Sequence, residues 1–257
     1  MLKRALSALA LLLCTALPAV AQDQNQGFTA HGTIVAQVVF SGTRINLGGD
    51  INMETRGQLL RFDILRLSVP GTEPTLNALL TQFLPQGGIS AVMDQTSGNT
   101  TVWSDARRKY YVFAGKGAAA PTAAAASSAV PGAAGSIMSI LESGRFVQGY
   151  TQFSESVNIT GRSVVNGHPA TNLHVALKTQ KAGGKLTDVV GDLSLAEDAL
   201  YLPVRIAATD RASNMSANIN FTNLTPTAPD ASAFNVPSGY AQANDPSEVF
   251  GAGIPHP

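Results

Sequence analysis

The side chains best suited to chemistry stand far apart in this sequence. His31, His168 and His174 occur singly, and no Gly-x-Ser-x-Gly, Ser-x-x-Lys or His-Glu-x-x-His motif accompanies them. Such motifs matter because a nucleophile and its base, or the ligands of a metal, must meet within bonding distance. Asp188 and Asp192 share one side of a strand-like segment, which is more typical of solvated carboxylates. We therefore expect no enzyme, no metal site and no cofactor.

A basic turn is a second candidate for a binding role. Arg107, Arg108 and Lys109 directly precede Tyr110 and Tyr111. Cations beside tyrosines could hold an anionic headgroup or touch a membrane surface. A solvated hairpin turn next to two strand aromatics explains the same pattern, so both interpretations stay open.

The start of the chain predicts a secreted protein. Lys3 and Arg4 precede an apolar run over residues 5–17, and Ala19-Val20-Ala21 follows. This is the layout of a signal peptide cleaved after Ala21, and the run is too short for a comfortable membrane span. A lipoprotein signal at Cys14 is the alternative, although the leucine before that cysteine is large for it. We expect a bacterial periplasmic or secreted protein.

Composition narrows the function classes further. Cleavage would remove the only cysteine, so stability must come from a core rather than from disulfides. Of 17 basic residues, two leave with the peptide, so 15 remain against 17 acidic ones. Nucleic-acid binding is not expected, since it needs a basic surface. A second membrane-spanning run is also absent from the sequence, which argues against an integral membrane protein.

Period-two alternation predicts a large antiparallel sheet. Apolar and polar residues alternate through Phe28–Phe40, where one side reads Phe-Ala-Gly-Ile-Ala-Val-Phe, and again through 45–54 and 215–222. Such alternation places one row of side chains in a dry environment and the other in water. Weaker alternation occurs at 58–68, 89–95, 100–105, 109–114, 152–160, 163–167, 170–179, 185–195 and 202–210. Short turns such as Asn166-Gly167 separate neighbouring segments, as consecutive hairpins require.

Two segments interrupt this pattern and predict short helices. Residues 73–84 carry apolar side chains at helical spacing, namely Leu76, Leu79, Leu80 and Phe83. A low-complexity, alanine-rich insertion at 116–135 leads into a second helical segment with Ile137, Ile140 and Leu141 on one side. The predicted fold is α+β but mostly β, with about 10–11 strands in a curled, open half-barrel and short helices covering its concave face.

The apolar side of such a sheet is too large for two short helices to cover. At roughly 25 cal/mol per Å² of apolar surface, leaving it wet would be costly. Either side chains fill the interior, or an apolar ligand occupies a cavity. Small inward residues such as Ala30, Gly32 and Ala217 favour a cavity, and a core filled by side chains remains the alternative.

Several short stretches share their order with a known superfamily. METRGQLLRFD contains Arg56 and Phe62, with Gly57 at the position of a proline, and SGNTTVWSD contains Trp103. LYLPVRIAATD and the near-terminal DASAFNVPSGYAQ follow. In this order the chain resembles the outer-membrane lipoprotein carrier superfamily, the LolA/LolB-like fold, which also includes domains of unknown function.

The resemblance implies an open barrel with helices across its mouth and a cavity that takes acyl chains. It implies that Arg56 holds the helical lid through polar contacts, while a plain strand-end cation is the alternative interpretation. For Trp103 the alternatives are a wall of the cavity or ordinary core packing. The candidate cavity and lid residues are Arg56, Phe62, Leu76, Leu79, Leu80, Phe83, Trp103, Ile137, Ile140 and Leu141.

We therefore predict a signal peptide at 1–21, one half-barrel domain at 22–243 and a C-terminal tail at 244–257. The predicted function is to bind or carry a lipid or other acyl ligand, with lipoproteins as one candidate cargo. The alternative is a non-enzymatic module of the cell envelope with a filled core and a protein partner.

Overall fold

The structure is a computed structural model that describes residues 26–40, 43–69, 88–94, 96–113, 150–181, 186–199 and 201–250. Most of these residues belong to twelve strands: β1 (Gly27–Phe40), β2 (Thr43–Arg56), β3 (Leu59–Ser68), β4 (Ile89–Asp94), β5 (Thr100–Ser104), β6 (Lys109–Phe113), β7 (Tyr150–Val165), β8 (His168–Lys181), β9 (Leu186–Ala196), β10 (Leu202–Asp210), β11 (Met215–Thr225) and β12 (Ala241–Gln242). A 3₁₀-helix (Ala231–Phe234) and the four-residue helix α1 (Ser247–Phe250) complete the described elements.

All twelve strands form one sheet in the order β12-β6-β5-β4-β3-β2-β1-β11-β10-β9-β8-β7. Every pair is antiparallel except β12 with β6, which is parallel. Strands β1 to β6 run outward from the centre, and β7 to β11 return from the other edge. The first and eleventh strands therefore meet in the middle, and the sheet is not closed into a barrel.

The mostly β, open antiparallel sheet predicted from alternation is confirmed. Two predicted segments, 152–160 and 163–167, are one continuous strand, β7, whose register shifts between Ile159 and Gly161. The twelfth strand was not predicted, because two residues give no readable alternation. Both predicted helices, at 73–84 and around 137–141, lie outside the described residues.

The turn between β7 and β8 shows why the hairpin signal was reliable. Asn166 and Gly167 both have positive φ angles, 54° and 87°. This combination is the type I′ geometry whose twist matches that of two antiparallel strands, and asparagine and glycine tolerate it best. The turn therefore fixes the register in which Val165 pairs with His168.

Register separates the sheet into two faces. Phe62, Ala91 and Val102 are directly paired across β3, β4 and β5, so they share a face. We call this side the apolar face, because it carries the largest cluster of buried side chains. Their sequence neighbours Asp63, Ser90 and Trp103 are likewise paired, and they lie on the opposite side, which we call the polar face.

The residues after β11 form what we call the C-terminal arm, residues 226–250. The arm begins beside Gly27, where a Cβ would lie only 2.8 Å from the Cα of Ala228. It then crosses the polar face, passes the free edge of β6 as β12 and reaches the other side of the sheet.

Candidate functional site

The apolar face is the largest continuous surface that could hold a ligand. Its main cluster draws on β1, β2, β3 and β8 to β11 and consists of Ala30, Ile34, Ile51, Met53, Leu60, Phe62, Leu173, Val175, Val189, Leu193, Leu195, Leu202, Ile206, Ala208, Ile219 and Phe221. Burial of so many aliphatic and aromatic groups is the main source of stability in a chain that keeps no disulfide.

The large side chains of this face are completely buried. Ile51, Leu60 and Phe221 each have 0% exposure, and Leu193 has 1%. A side chain without accessible surface has no room beside it for even one water molecule. An acyl chain could therefore enter among these residues only if neighbouring groups moved apart.

One row across the apolar face is built from small residues. Ala36 pairs with Ala217, Ala217 with Ala208, and Ala208 with Gly191, so the row crosses four adjacent strands. Ala36 and Ala217 are half-buried, unlike the fully buried isoleucines beside them. The small inward residues noted in the sequence thus form a line that is half-buried at β1 and β11 and buried at β10 and β9.

The predicted cavity residues do not all come together. Phe62 lies in the main cluster of the apolar face, with 4% exposure. Trp103 is also buried, with 1% exposure, but it lies on the polar face beneath the arm. The other proposed lid residues, Leu76, Leu79, Leu80, Phe83, Ile137, Ile140 and Leu141, lie outside the described residues.

Arg56 contacts the C-terminal arm. Its Nη1 donates a hydrogen bond to the carbonyl oxygen of Pro229 over 2.6 Å. Arg56 ends β2 and is followed by Gly57, which turns the chain with a φ of 54°. A cation at this strand end therefore ties the start of the arm to the sheet.

The polar face beneath the arm forms a second, smaller core. Trp103, Val92 and Phe234 are buried together, and Tyr110 and Tyr240 pack against them. Phe234 is the one buried residue of the 3₁₀-helix, with 7% exposure. Its buried partners Val92 and Trp103 lie more than a hundred residues away in the sequence, so no local pattern predicts this contact.

The arm continues around the edge of the sheet. Backbone N–H groups of Ala241 and Ala243 donate to the carbonyls of Arg108 (3.0 Å) and Tyr110 (2.7 Å). Val249 of α1 then packs, with 0% exposure, against Val102 on the other side of β5. These contacts cover an edge that would otherwise expose unpaired backbone groups to another strand.

The basic turn is divided between the arm and solvent. Lys109 forms an ion pair with Glu248, and this contact lowers the pKa of the Glu248 carboxyl below its ordinary value. Arg107 and Arg108 are exposed. The turn is therefore in part a structural anchor for α1.

Glu54 is the described carboxylate with the least favourable surroundings. Its Oε2 is buried and has no hydrogen-bond partner. Burial raises the pKa of Glu54; nearby Arg61 opposes this rise and Asp63 adds to it. The sequence gave no sign of this group, because the arm that crosses this face comes from the far end of the chain.

The remaining candidates for chemistry lie on the part of the polar face that no described residue covers. His174 Nδ1 is 2.7 Å from Asp192, and His168 Nδ1 is 3.0 Å from Asp198. Asp188, which the sequence grouped with Asp192, lies 3.8 Å from Lys178 instead. These groups form separate cross-strand pairs rather than one site.

The part of the chain that the structure describes has neither a metal-binding cluster nor a membrane-spanning helix. Within those ranges, no three side chains of the metal-binding types come together. Over the same ranges, no helix is long and apolar enough to cross a membrane.

No family model and no curated protein matches this chain. Among solved structures, it is similar to an uncharacterized conserved protein from Thermus thermophilus, with 10% identity and a TM-score of 0.41 over 93% of this chain and 98% of that one. An outer membrane lipoprotein-sorting domain from Vibrio parahaemolyticus matches with 10% identity and a TM-score of 0.36, over 90% and 97% of the two chains.

The complex of MucA and MucB from Pseudomonas aeruginosa also contains a similar chain. It matches with 16% identity and a TM-score of 0.35, over 91% of this chain and 62% of that one.

Proposed function

We propose that the protein binds a lipid or other acyl ligand against its apolar face, in the periplasm or outside a bacterial cell. The observation that carries the proposal is the one-sided character of an open sheet. One cluster of apolar side chains extends over seven strands, and the described residues beyond β11 that pack against that side, Ala243 and Val249, belong to a separate cluster around Val102 of β5.

Burial of the acyl chain would supply the affinity. Each buried CH₂ group contributes about 0.8 kcal/mol, so a chain laid along this face needs few polar contacts. The row of Ala36, Ala217 and Ala208 is the part of the face where a chain meets least side-chain bulk. Because the large residues around it are fully buried, we expect slow uptake that is limited by opening of the structure.

A second candidate is a non-enzymatic envelope module with a protein partner. The observation that favours it is the complete burial of Ile51, Leu60 and Phe221, which is what a filled core requires. In that case the sheet is a scaffold, and its recognition surface lies elsewhere.

Native mass spectrometry of the protein, purified from the periplasm without detergent, separates the two candidates. A reproducible adduct in the lipid mass range, lost on organic extraction, supports binding of an acyl ligand. A protein of bare mass that also fails to bind a fluorescent fatty acid refutes this proposal and supports the scaffold.

A matched pair of variants locates the binding surface. Ala217→Leu adds bulk to the row on the apolar face, whereas Ala207→Leu adds the same bulk to the polar face. We expect Ala217→Leu to weaken fatty-acid binding about tenfold and Ala207→Leu to leave it unchanged, since overpacking acts where space is needed. Equal binding by both folded variants would place the ligand elsewhere.

A further inference from the structure

Arg61 is the central residue of the contact between the arm and the sheet. Its Nε donates to Asp63 over 2.9 Å, and its Nη1 donates to the carbonyl oxygen of Ala233 in the arm. The guanidinium carbon also lies 5.4 Å from the centre of the Trp103 ring, within range of a cation–π interaction. A single side chain thus joins β3, β5 and the arm.

Glu54 lies directly across from Arg61 in the register of β2 and β3. Paired residues on one face of an antiparallel sheet have Cβ atoms about 4.5–5.5 Å apart, so these two side chains can meet. Nevertheless, Arg61 is bonded to Asp63 and Ala233, and Glu54 Oε2 is left buried without a donor. The arm and Glu54 therefore compete for the same guanidinium group.

We propose that this competition makes the arm a proton-controlled strap, which docks firmly when Glu54 is neutral and loosens when Glu54 is ionised. An ionised carboxylate buried without a donor is costly, and two movements relieve it. Arg61 can turn from Ala233 to Glu54, or the arm can lift and admit water. Both movements weaken the hold of the sheet on the 3₁₀-helix.

Protonation removes this conflict. A neutral carboxylic acid loses far less hydration on burial than a carboxylate does, so Arg61 stays with Ala233. The raised pKa of Glu54 agrees with the geometry, because burial is its first cause. Loosening of the arm exposes Trp103, Phe234 and the edge of β6, which the rest of the described sheet does not cover.

Other charged or titratable groups lie on the same face and must be controlled. They come from β1, β2, β3 and the arm, and they include His31, Asp50, Arg56, Asp63 and Asp230. His31 is the histidine among them, and its Nδ1 lies 2.6 Å from Asn52 Oδ1. A His31→Gln variant therefore serves as a second control.

Hydrogen–deuterium exchange of the full chain measures the docking of residues 226–243 directly. Rates are taken between pH 4.5 and 7.5 and corrected for intrinsic exchange, with a peptide from β9 as internal reference. Emission of Trp103, the only tryptophan in the chain, gives a second readout. In the unmodified protein, we expect exchange of the arm to be about three- to tenfold faster at pH 7.5 than at pH 4.5.

Glu54→Gln tests the proposal with minimal change of shape. This variant should keep the slow exchange of the arm across the whole pH range, with blue-shifted Trp103 emission. Asp50→Asn, on the same strand and face, should behave like the unmodified protein. Arg61→Gln should give fast exchange of the arm at every pH, because it removes the group for which Glu54 competes.

The same data can overturn the proposal. If Glu54→Gln shows the same pH dependence as the unmodified protein, Glu54 does not control the arm. If the exchange rate of the arm in the unmodified protein does not change with pH, Glu54 likewise does not control the arm. If His31→Gln rather than Glu54→Gln abolishes the dependence, the histidine is the controlling group and the strap model is wrong.

Discussion

The polar face of this sheet has two regions that differ in what covers them. Beneath the arm, Val92 and Trp103 are buried at 6% and 1% exposure. On β8 and β9, the side chains of His174 and Asp192 are exposed at 41% and 73%. Both regions belong to the same face of one continuous sheet.

The difference shows that the surroundings of a strand residue depend on the segment that covers the sheet as much as on alternation. Where the arm lies, the face carries a tryptophan and an arginine with several partners. Where no described residue lies over it, cross-strand pairs such as His174–Asp192 satisfy one another and contribute little. The covered region is thus a second core beside that of the apolar face. Substitutions should separate the contributions of the two cores to the free energy of unfolding.

The largest effect is expected from Phe221→Ala on the apolar face. The ring has 0% exposure, so its removal leaves a cavity and should lower the free energy of unfolding by about 3–5 kcal/mol. Urea denaturation followed by far-UV circular dichroism measures this. Phe221→Leu should lose much less, and an equal loss in both variants would point to a constraint of shape instead of volume.

Phe234→Ala should have a smaller and more local effect. The ring of Phe234 lies in the arm and packs on Trp103. We therefore expect the free energy of unfolding to fall by about 2 kcal/mol and hydrogen exchange to become faster only in residues 226–243. Trp103 emission should shift to longer wavelength. Tyr240→Phe, which removes only the 2.7 Å hydrogen bond to Asp105, is the control. If exchange rises throughout the sheet, the two cores form one cooperative unit.

Glu54→Gln should stabilise the protein, and the gain should depend on pH. Because the folded pKa of Glu54 is raised above 4.5, protonation favours the folded state, and this contribution is lost as pH rises through the folded pKa. The variant should match the unmodified protein near pH 4 and exceed it at pH 7. We expect a gain on the order of 0.5 kcal/mol, reduced by the partial exposure of the side chain. Thermal melts at both pH values test the sign, and a gain that is equal at both would exclude ionisation as its cause.

The smallest effect is expected from His174→Gln on the uncovered region. Exposed pairs of this type contribute about 0–1 kcal/mol, so the free energy of unfolding should change by less than 1 kcal/mol. Chemical denaturation of His174→Gln and Phe234→Ala under the same conditions measures both free energies of unfolding. A large loss would mean that this region is covered by something in solution.

Much of the sheet could be predicted because its causes are local. Alternation in Phe28–Phe40 and the Asn166-Gly167 turn specify strands and register from neighbouring residues alone. The order of the strands in space is less local. Alternation does not reveal that β1 pairs with β11, since that pairing joins opposite ends of the chain.

The site was harder to predict for the same reason. Trp103 alternates as a core residue should, but alternation cannot tell which of two faces is buried when both have cores. Its placement depends on Phe234 and Arg61, and Arg61 in turn depends on Ala233, 172 residues away. Alternation places Glu54 on the polar side of β2, but it does not show that this side chain is partly buried and that its Oε2 has no hydrogen-bond partner.

The central pairing of β1 with β11 also bears on how the chain folds. His31 and Thr222, joined across that pair, are 191 residues apart in the sequence. Contacts of such high sequence separation slow folding, since a long loop must close before they form. While the chain is being synthesised, β1 can pair with β2 but not yet with β11, so the middle of the sheet is completed only after residue 225 has been made. The sheet therefore stays incomplete until its last strands are available.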